Sequence, residues 1–448
     1  MKKILLSLIF NASLAISIFA FDFGGSLSNK SKLLYPIANA PVTYNQISTV
    51  DLWTNIYFST NAILTFSGNF AVNVNDVAGA YTDAKGKSVD ATPGTVTPDI
   101  DIDTLQFYLS LPEAFGPQSR ENLWIGRSVF RDFSGKVLNH KLDGVVSEFS
   151  IPSFTWRFGV GTSALLFKHS SGIFVSNGDR DDYSNPDVYL AAPRLIAISE
   201  FVFPKLALNQ NLSFDLIGDI DLRGGVSAAG DLVKNTDLGG AVHQFFTGAK
   251  IDGKLVGSLF WDIYGYLQLG SALSKMTGTY AQTTIVAGLT GLDFNFFIPG
   301  AAKATLYWGI LLGTGDNDSI ANFPDQNISE IYTGFHAISK TGSGLIMSPQ
   351  VNNLFQGSLG FSLKPLANMT LALDNFIFMR PSVSGMGEQN LIIGSTEQFI
   401  GFESDLSLKW RITTELGTNF SFGTFVPNEA ALAESVQVKA QWELSLRF

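Results

Sequence analysis

Cysteine is absent from all 448 residues, which excludes disulfides, thiolate nucleophiles, thiol-ligated metals and a lipid-anchored cysteine. Charge is scarce: Asp, Glu, Lys and Arg make up 15% of the chain, against about 25% in soluble domains. Beyond residue 20 no segment approaches the ~18 uninterrupted apolar residues of a membrane-spanning helix. Yet 46% of the residues are hydrophobic and 12% aromatic, 37 of them phenylalanine. High apolar content without long apolar runs means that the apolar residues are dispersed, as alternation disperses them. The net charge is −10, and −12 without Lys2 and Lys3, a balance that argues against nucleic acid as a partner.

What is present is a period of two. From Val436 to Phe448 the even positions are Val436, Val438, Ala440, Trp442, Leu444, Leu446 and Phe448, and every odd position between them is polar. Such a strand has one wholly apolar and one wholly polar face. Soluble chains rarely stop on a strand, because termini fray. A last strand closed by a terminal Phe looks like the end of a bacterial outer-membrane β-barrel, with Phe448 as its assembly signal, lipid on the apolar face and the lumen on the other. At the other end, Lys2 and Lys3 precede an apolar stretch and small residues near Ala20, so residues 1–20 read as a secretory signal peptide.

The same alternation recurs along the chain. Leu64, Phe66, Phe70 and Val72 oppose Thr65, Ser67, Asn69 and Ala71; Phe154, Trp156, Phe158 and Val160 oppose Thr155, Arg157, Gly159 and Gly161. Leu212, Phe214, Leu216, Ile220 and Leu222 oppose Ser213, Asp215, Asp219, Asp221 and Arg223, with Ile217 the one apolar residue on the polar face. Phe402, Leu406, Leu408 and Trp410 oppose Glu403, Asp405, Ser407 and Lys409. Short links fall near 58–61, 112–119, 151–153, 204–210, 251–254, 298–302, 364–368 and 409–412. Long ones fall near 30–46, 75–101, 129–142, 167–193, 223–238, 270–281, 314–352, 380–397 and 424–435. This alternation of link lengths predicts an all-β fold: one closed antiparallel transmembrane β-barrel over 21–448, with about 18 strands of ~9–11 residues, short periplasmic turns and long extracellular loops. Closure is obligatory, because a sheet edge in hydrocarbon leaves backbone groups unpaired. The first strand, starting near Phe21, is expected to pair with the last.

The segment 122–148, NLWIGRSVFRDFSGKVLNHKLDGVVSE, resembles porin-type and alginate-export-type outer-membrane channels of the 18-stranded group. There a strand ends in Gly-Arg, here Gly126-Arg127, a loop folds inward, and the chain returns through Asp-Gly, here Asp143-Gly144. The resemblance implies a diffusion channel. It does not imply alginate, because that family's groove is dense in arginine whereas this chain is acidic.

The function expected is passive or weakly selective passage of small hydrophilic solutes or ions through the outer membrane. The partners are then the lipid bilayer, the barrel-assembly machinery and the solutes, with no cofactor and no enzymatic activity; oligomeric state is not legible. Arg127, Arg131, Lys136, Lys141 and Asp143 are candidates for a charged constriction, since opposed charges in a narrow passage set ion preference. Loop surface is the plainer alternative. Asp215, Asp219, Asp221, Arg223, Glu403 and Asp405 are candidate lumen residues, and the three aspartates are expected to favour cations. Asp99, Asp101 and Asp103, the group Asp179, Asp181, Asp182 and Asp187, and the pair Asp316 and Asp318 could hold Ca²⁺ but lack the EF-hand pattern. Barrel-borne lipase chemistry would require a serine beside one of the four histidines, His243 being the best placed on a strand. Two other functions remain: an adhesin using its long loops, and a long-chain fatty-acid transporter, which needs an amino-terminal hatch.

Overall fold

Alternation of the kind seen in β-branched and aromatic residues here makes half-buried strands. The computed structural model describes residues 20–37, 42–78, 81–82, 88–89, 95–207, 209–223, 239–274, 281–300, 302–317, 323–383, 395–431 and 435–448. Of the segment 1–20 expected to be a signal peptide, residues 1–19 lie outside them, as do 224–238 and 275–280. The strands are β1 (Ala20–Pro36), β2 (Val42–Ser59), β3 (Ala62–Ala78), β4 (Tyr81–Thr82), β5 (Ser88–Val89), β6 (Thr95–Pro112), β7 (Arg120–Arg131), β8 (Asn139–Ile151), β9 (Phe154–Thr162), β10 (Arg194–Ala207) and β11 (Gln210–Asp221). They continue as β12 (Gly239–Val256), β13 (Leu259–Ser274), β14 (Ala281–Phe297), β15 (Thr305–Gly313), β16 (Ile331–Tyr332), β17 (Leu354–Leu366), β18 (Met369–Met379), β19 (Phe399–Arg411), β20 (Leu416–Pro427) and β21 (Gln437–Arg447). Among the described residues one helix, α1 (Asn177–Ser184), follows β9, and a short 3-10 turn spans Pro324–Gln326.

Leaving aside the β4–β5 ribbon and β16, each strand pairs antiparallel with the next, and β1 pairs with β21, giving a closed wall of 18 strands. The seam is sealed by Gly25 and Phe448, whose backbone N–H groups each donate to the other's carbonyl, at 3.0 and 3.1 Å. Trp442, Leu444, Leu446 and Phe448 are exposed on the outer face, as the alternation requires, while Gln437, Lys439, Gln441, Glu443 and Ser445 are half-buried. On β11 Phe214, Leu216 and Ile220 are likewise outside and Asp215, Asp219 and Asp221 inside.

Three expectations about the wall are corrected. Strands β1, β2, β3, β6, β12 and β14 run 17 or 18 residues, longer than the ~9–11 needed to cross hydrocarbon, so one side of the wall projects beyond the apolar band. That lengthening turns most of 30–46 from loop into strand. The turn expected at 251–254 lies instead at 257–258: Asp252-Gly253 is a turn-like dipeptide, but Ile251 to Gly253 stay paired with both neighbouring strands.

The interior is not polar throughout. β7 loses β6 beyond Leu105↔Arg127, and β8 loses β9 beyond Asp143↔Thr162, so residues 128–142 pair only with each other and turn into the lumen. The connections 163–193 and 314–353 fold in beside this tip. Their Val137, Leu138, Leu166, Val175, Tyr332, Phe335 and Ile338 pack against inward-facing Ile196, Ile198, Ile217, Val242, Phe246 and Ile285. Each such side chain contributes about 1.5–3 kcal/mol on leaving water. Ile217, the exception in the alternation, is fully buried here. A dry core thus fills one arc of the barrel.

Candidate functional site

The inward turn begins at Gly126, with φ +114°, where a Cβ would stand 2.1 Å from the Leu105 carbonyl oxygen. It ends at Gly144, where a Cβ would stand 2.1 Å from the Val160 oxygen. Only glycine fits either place. Between them Arg127 spans the breach. Its Nε and Nη2 donate to the two carboxylate oxygens of Asp143 at 3.0 and 2.9 Å, while Nη1 donates to the Ile102 carbonyl at 2.6 Å and Nη2 to the Leu165 carbonyl at 2.9 Å. The Ile102 carbonyl lies on the part of β6 that β7 has left unpaired, so the guanidinium covers an exposed sheet edge.

At the tip, Asp132 organises residues 133–138. One of its oxygens accepts N–H bonds from Ser134 and Gly135 and the other from Val137 and Leu138, and the Ser134 hydroxyl also donates to it. The tip is tied to the wall by Phe133 N–H to Asp215 at 3.0 Å and by Tyr266, which stacks on Phe133 with ring centroids 4.8 Å apart. It is tied to the 314–353 connection by Ile338 and Ser339 N–H groups, both donating to the Val137 carbonyl.

Of the expected constriction set, the structure brings Arg127 and Asp143 together. Lys141 is ion-paired with Asp103, Arg131 is exposed at the end of β7, and Lys136 is half-buried on the tip, where burial holds its ammonium below the usual lysine range. The expected acidic ladder is inward-facing, but Asp215 and Asp219 are 0% exposed and Asp221 3%, so these groups do not line an open passage. Asp219 and Asp221 instead hold Arg194, itself fully buried, at 3.0 and 3.3 Å, and Asp179 of α1 reaches the same guanidinium at 3.1 Å. Arg223 completes the cluster through Asp221, Asp182, Asp179 and the Ser176 hydroxyl. Three of the aspartates considered for Ca²⁺, Asp101, Asp179 and Asp182, are arginine partners, and no group of carboxylates and histidines fit to hold a metal ion occurs among the described residues. Asp318 lies outside the described residues.

Glu403 and Asp405 also receive an in-folded connection: Asp405 accepts Leu345 N–H at 2.8 Å, and Glu403 accepts Ile346 and Met347 N–H groups, both at 2.7 Å. Sequence reasoning missed Arg194, Asp132, Tyr266 and Asp325. Arg194 opens a strand straight after a long loop, a place where a cation readily meets loop carboxylates; the other three carry no local signal.

The opposite arc is different. The inner faces of β1, β2, β3 and β21 present Ser26, Ser28, Lys30, Lys32, Thr49, Asp51, Asn55, Thr65, Asn69, Gln441 and Glu443, all half-exposed; among the described residues the in-folded segments reach this face at its edges, where Lys439 donates to the Leu345 carbonyl and Asn69 lines a cavity with His140 and Lys141. Hydrogen bonds such as Ser26 to Asp51 at 2.7 Å and Asn69 to Asp103 at 2.8 Å link them across strands. This arc is polar and wet.

An 18-stranded closed barrel with inward-folded connections defines the class of molecule: a porin-type β-barrel. Solved structures of that shape come from Pseudomonas aeruginosa. OccK7 (OpdD) matches with a TM-score of 0.57 at 10% identity, over 96% of this chain and 98% of that one. OccK8 (OprE) gives 0.53 at 11% identity, over 96% and 98%, and OccK9 (OpdG) gives 0.52 at 12%, over 95% and 99%. The expected resemblance to 18-stranded channels holds at the level of fold. No family model matches the chain, and no curated protein does.

Proposed function

We propose that this chain is an outer-membrane channel that passes small hydrophilic solutes or ions passively or with weak selectivity. The observation that carries the reading is the polar arc of β1–β3 and β21, which among the described residues the in-folded segments reach at its edges, while they pack against the inner face of β10–β14. Lys30 stands opposite Glu443 and Asp51 lies further along the same arc opposite Ser26, so both signs of charge occur on it, which accords with weak selectivity. The structural neighbours, one of them titled the outer membrane protein opdK, support the same location. On this reading residues 1–20 direct export, the lipid bilayer covers the outer face and the barrel-assembly machinery recognises the Phe448 end.

Reconstitution in a planar bilayer tests the proposal. A steady open conductance, with a reversal potential in a salt gradient far smaller than ideal selectivity gives, is the expected result. A barrel that inserts and conducts nothing would favour the adhesin reading.

A further inference from the structure

The tip of the β7–β8 hairpin rests on a contact that is one hydrogen short. The Tyr266 hydroxyl oxygen lies 2.8 Å from Asp132 Oδ2 and 2.7 Å from Asp215 Oδ2. A phenol supplies one hydrogen, and an oxygen–oxygen separation of 2.7–2.8 Å is a hydrogen bond only when a hydrogen lies between the two atoms. One of the two carboxyl groups must therefore bring its own. Asp132 has no place for it, because its oxygens already accept four backbone N–H groups and the Ser134 hydroxyl. Asp215 has: beyond Tyr266 it meets only Phe133 N–H, its Oδ1 is buried without a hydrogen-bond partner, and the side chain is wholly inaccessible. The chain of donors then runs from the Asp215 carboxyl to the Tyr266 oxygen, and from the Tyr266 hydroxyl to Asp132.

We propose that this shared proton is a lock, and that its loss from Asp215 as pH rises releases the in-folded tip from the barrel wall. Removing it sets two carboxylates against one phenol, in a place that excludes water. The other charged groups on the surrounding elements do not remedy this. Glu200 stands directly opposite Asp215 on β10, and Arg157 of β9, opposite Glu200, donates to the Val129 and Arg131 carbonyls at the base of the hairpin; Asp262 lies on β13, Lys136 is on the tip, and Lys250 of β12 is engaged with Asp252 at 3.7 Å. The two places where the hairpin leaves the wall, Gly126 and Gly144, are the hinges about which it would move. That the released tip widens a passage rests on the channel reading; the lock itself does not.

The absence of cysteine permits a direct test. A single Val137→Cys substitution places a thiol on the tip, at a side chain that is fully buried and takes no part in the Asp132 bonds, and its reaction with a water-soluble maleimide reports exposure of the tip. The labelling rate, corrected for thiol ionisation with a free-cysteine standard, is followed from about pH 5 to about pH 10 alongside conductance. With the lock in place, labelling rises with pH by up to about tenfold per unit, the limit for release of one proton. In the Asp215→Asn background, whose amide can donate to Tyr266 at any pH, the rise is absent. Identical profiles in the two backgrounds would overturn the proposal. If Asp215→Asn does not fold, Tyr266→Phe takes its place: the lock requires labelling already at low pH, and a wild-type profile there would overturn it. A labelling step without a conductance step supports the lock while counting against the channel.

Discussion

Arg127 and Asp143 form a two-pronged ion pair, at 3.0 and 2.9 Å, at the two points where β7 and β8 leave the barrel wall. The pair marks the ends of wall pairing on both sides, since Arg127 is the last residue of β7 opposite β6 and Asp143 the first of β8 opposite β9. The side chains are 8% and 18% exposed, so the pair is shielded from most solvent screening.

Arg127→Ala strands Asp143 and frees the carbonyls of Ile102 and Leu165. Breaking a buried pair from one side costs about 3–5 kcal/mol, and the residual exposure of Asp143 places this case near the lower figure. Asp143→Asn keeps an acceptor for the guanidinium and should cost about 1 kcal/mol. Urea unfolding of the refolded barrel in detergent, followed by tryptophan fluorescence, checks both the loss and its order.

Phe448 closes the seam with its backbone and faces outward with its ring. Deleting it removes both hydrogen bonds to Gly25; Phe448→Asp keeps them and puts a charge on the lipid face. Both variants should reach the outer membrane at a lower level, the deletion lower still. Heat-modifiable migration of membrane fractions on gels measures the folded amount, and full levels of both would remove the assembly role.

Asp325, in the 314–353 connection and outside the wall, accepts the Asn177 N–H at 3.1 and 3.0 Å through its two oxygens. Burial and the neighbouring Asp179 push its carboxyl up to about 8, against the pull of that N–H and of Arg194. A carboxyl raised above its unfolded value of about 4 stabilises the fold fully below that value and loses the contribution as pH rises through its folded value. The packing of α1 against this connection should therefore loosen progressively as pH rises from about 4 to about 8 and change little above that. Protease nicking near Pro186 should increase over that window and become pH-independent in Asp325→Asn.

The described parts of 75–101, 167–193 and 314–352 lie on the side of the long links, opposite the turns at 257–258 and 367–368. On intact cells an epitope tag after Pro186, beside Tyr189 at 74% exposure, should be stained. A tag at 257–258 should be stained only after the outer membrane is permeabilised. The reverse pattern would invert the orientation.

The wall was legible because its determinant is local. Trp442, Leu444 and Leu446 lie on one face through the geometry of a strand alone, and lipid demands an apolar residue at every second position. The breach at Gly126-Arg127 was legible from a short resemblance. The interior was not, because Asp219 looks the same in sequence whether it meets water or Arg194. The partner lies 25 residues away along the chain and is brought close by the pairing of β10 with β11. Ile217 was the visible trace, an apolar residue on a face that an open lumen would have kept polar.

The seam between β1 and β21 falls in the polar arc, which the in-folded connections touch at Lys439. Order of assembly follows from that position. The ring can shut at Gly25 and Phe448 without waiting for residues 128–142, 163–193 or 314–353 to find their places, because among the described residues none of them bonds to both β1 and β21. Those segments belong to the side built from consecutive hairpins, where neighbours in sequence are neighbours in space. Insertion and furnishing of the interior are thus separable steps, and a lesion in the Arg194 cluster should yield a barrel that is closed, lodged in the membrane and wrongly furnished rather than one that fails to insert.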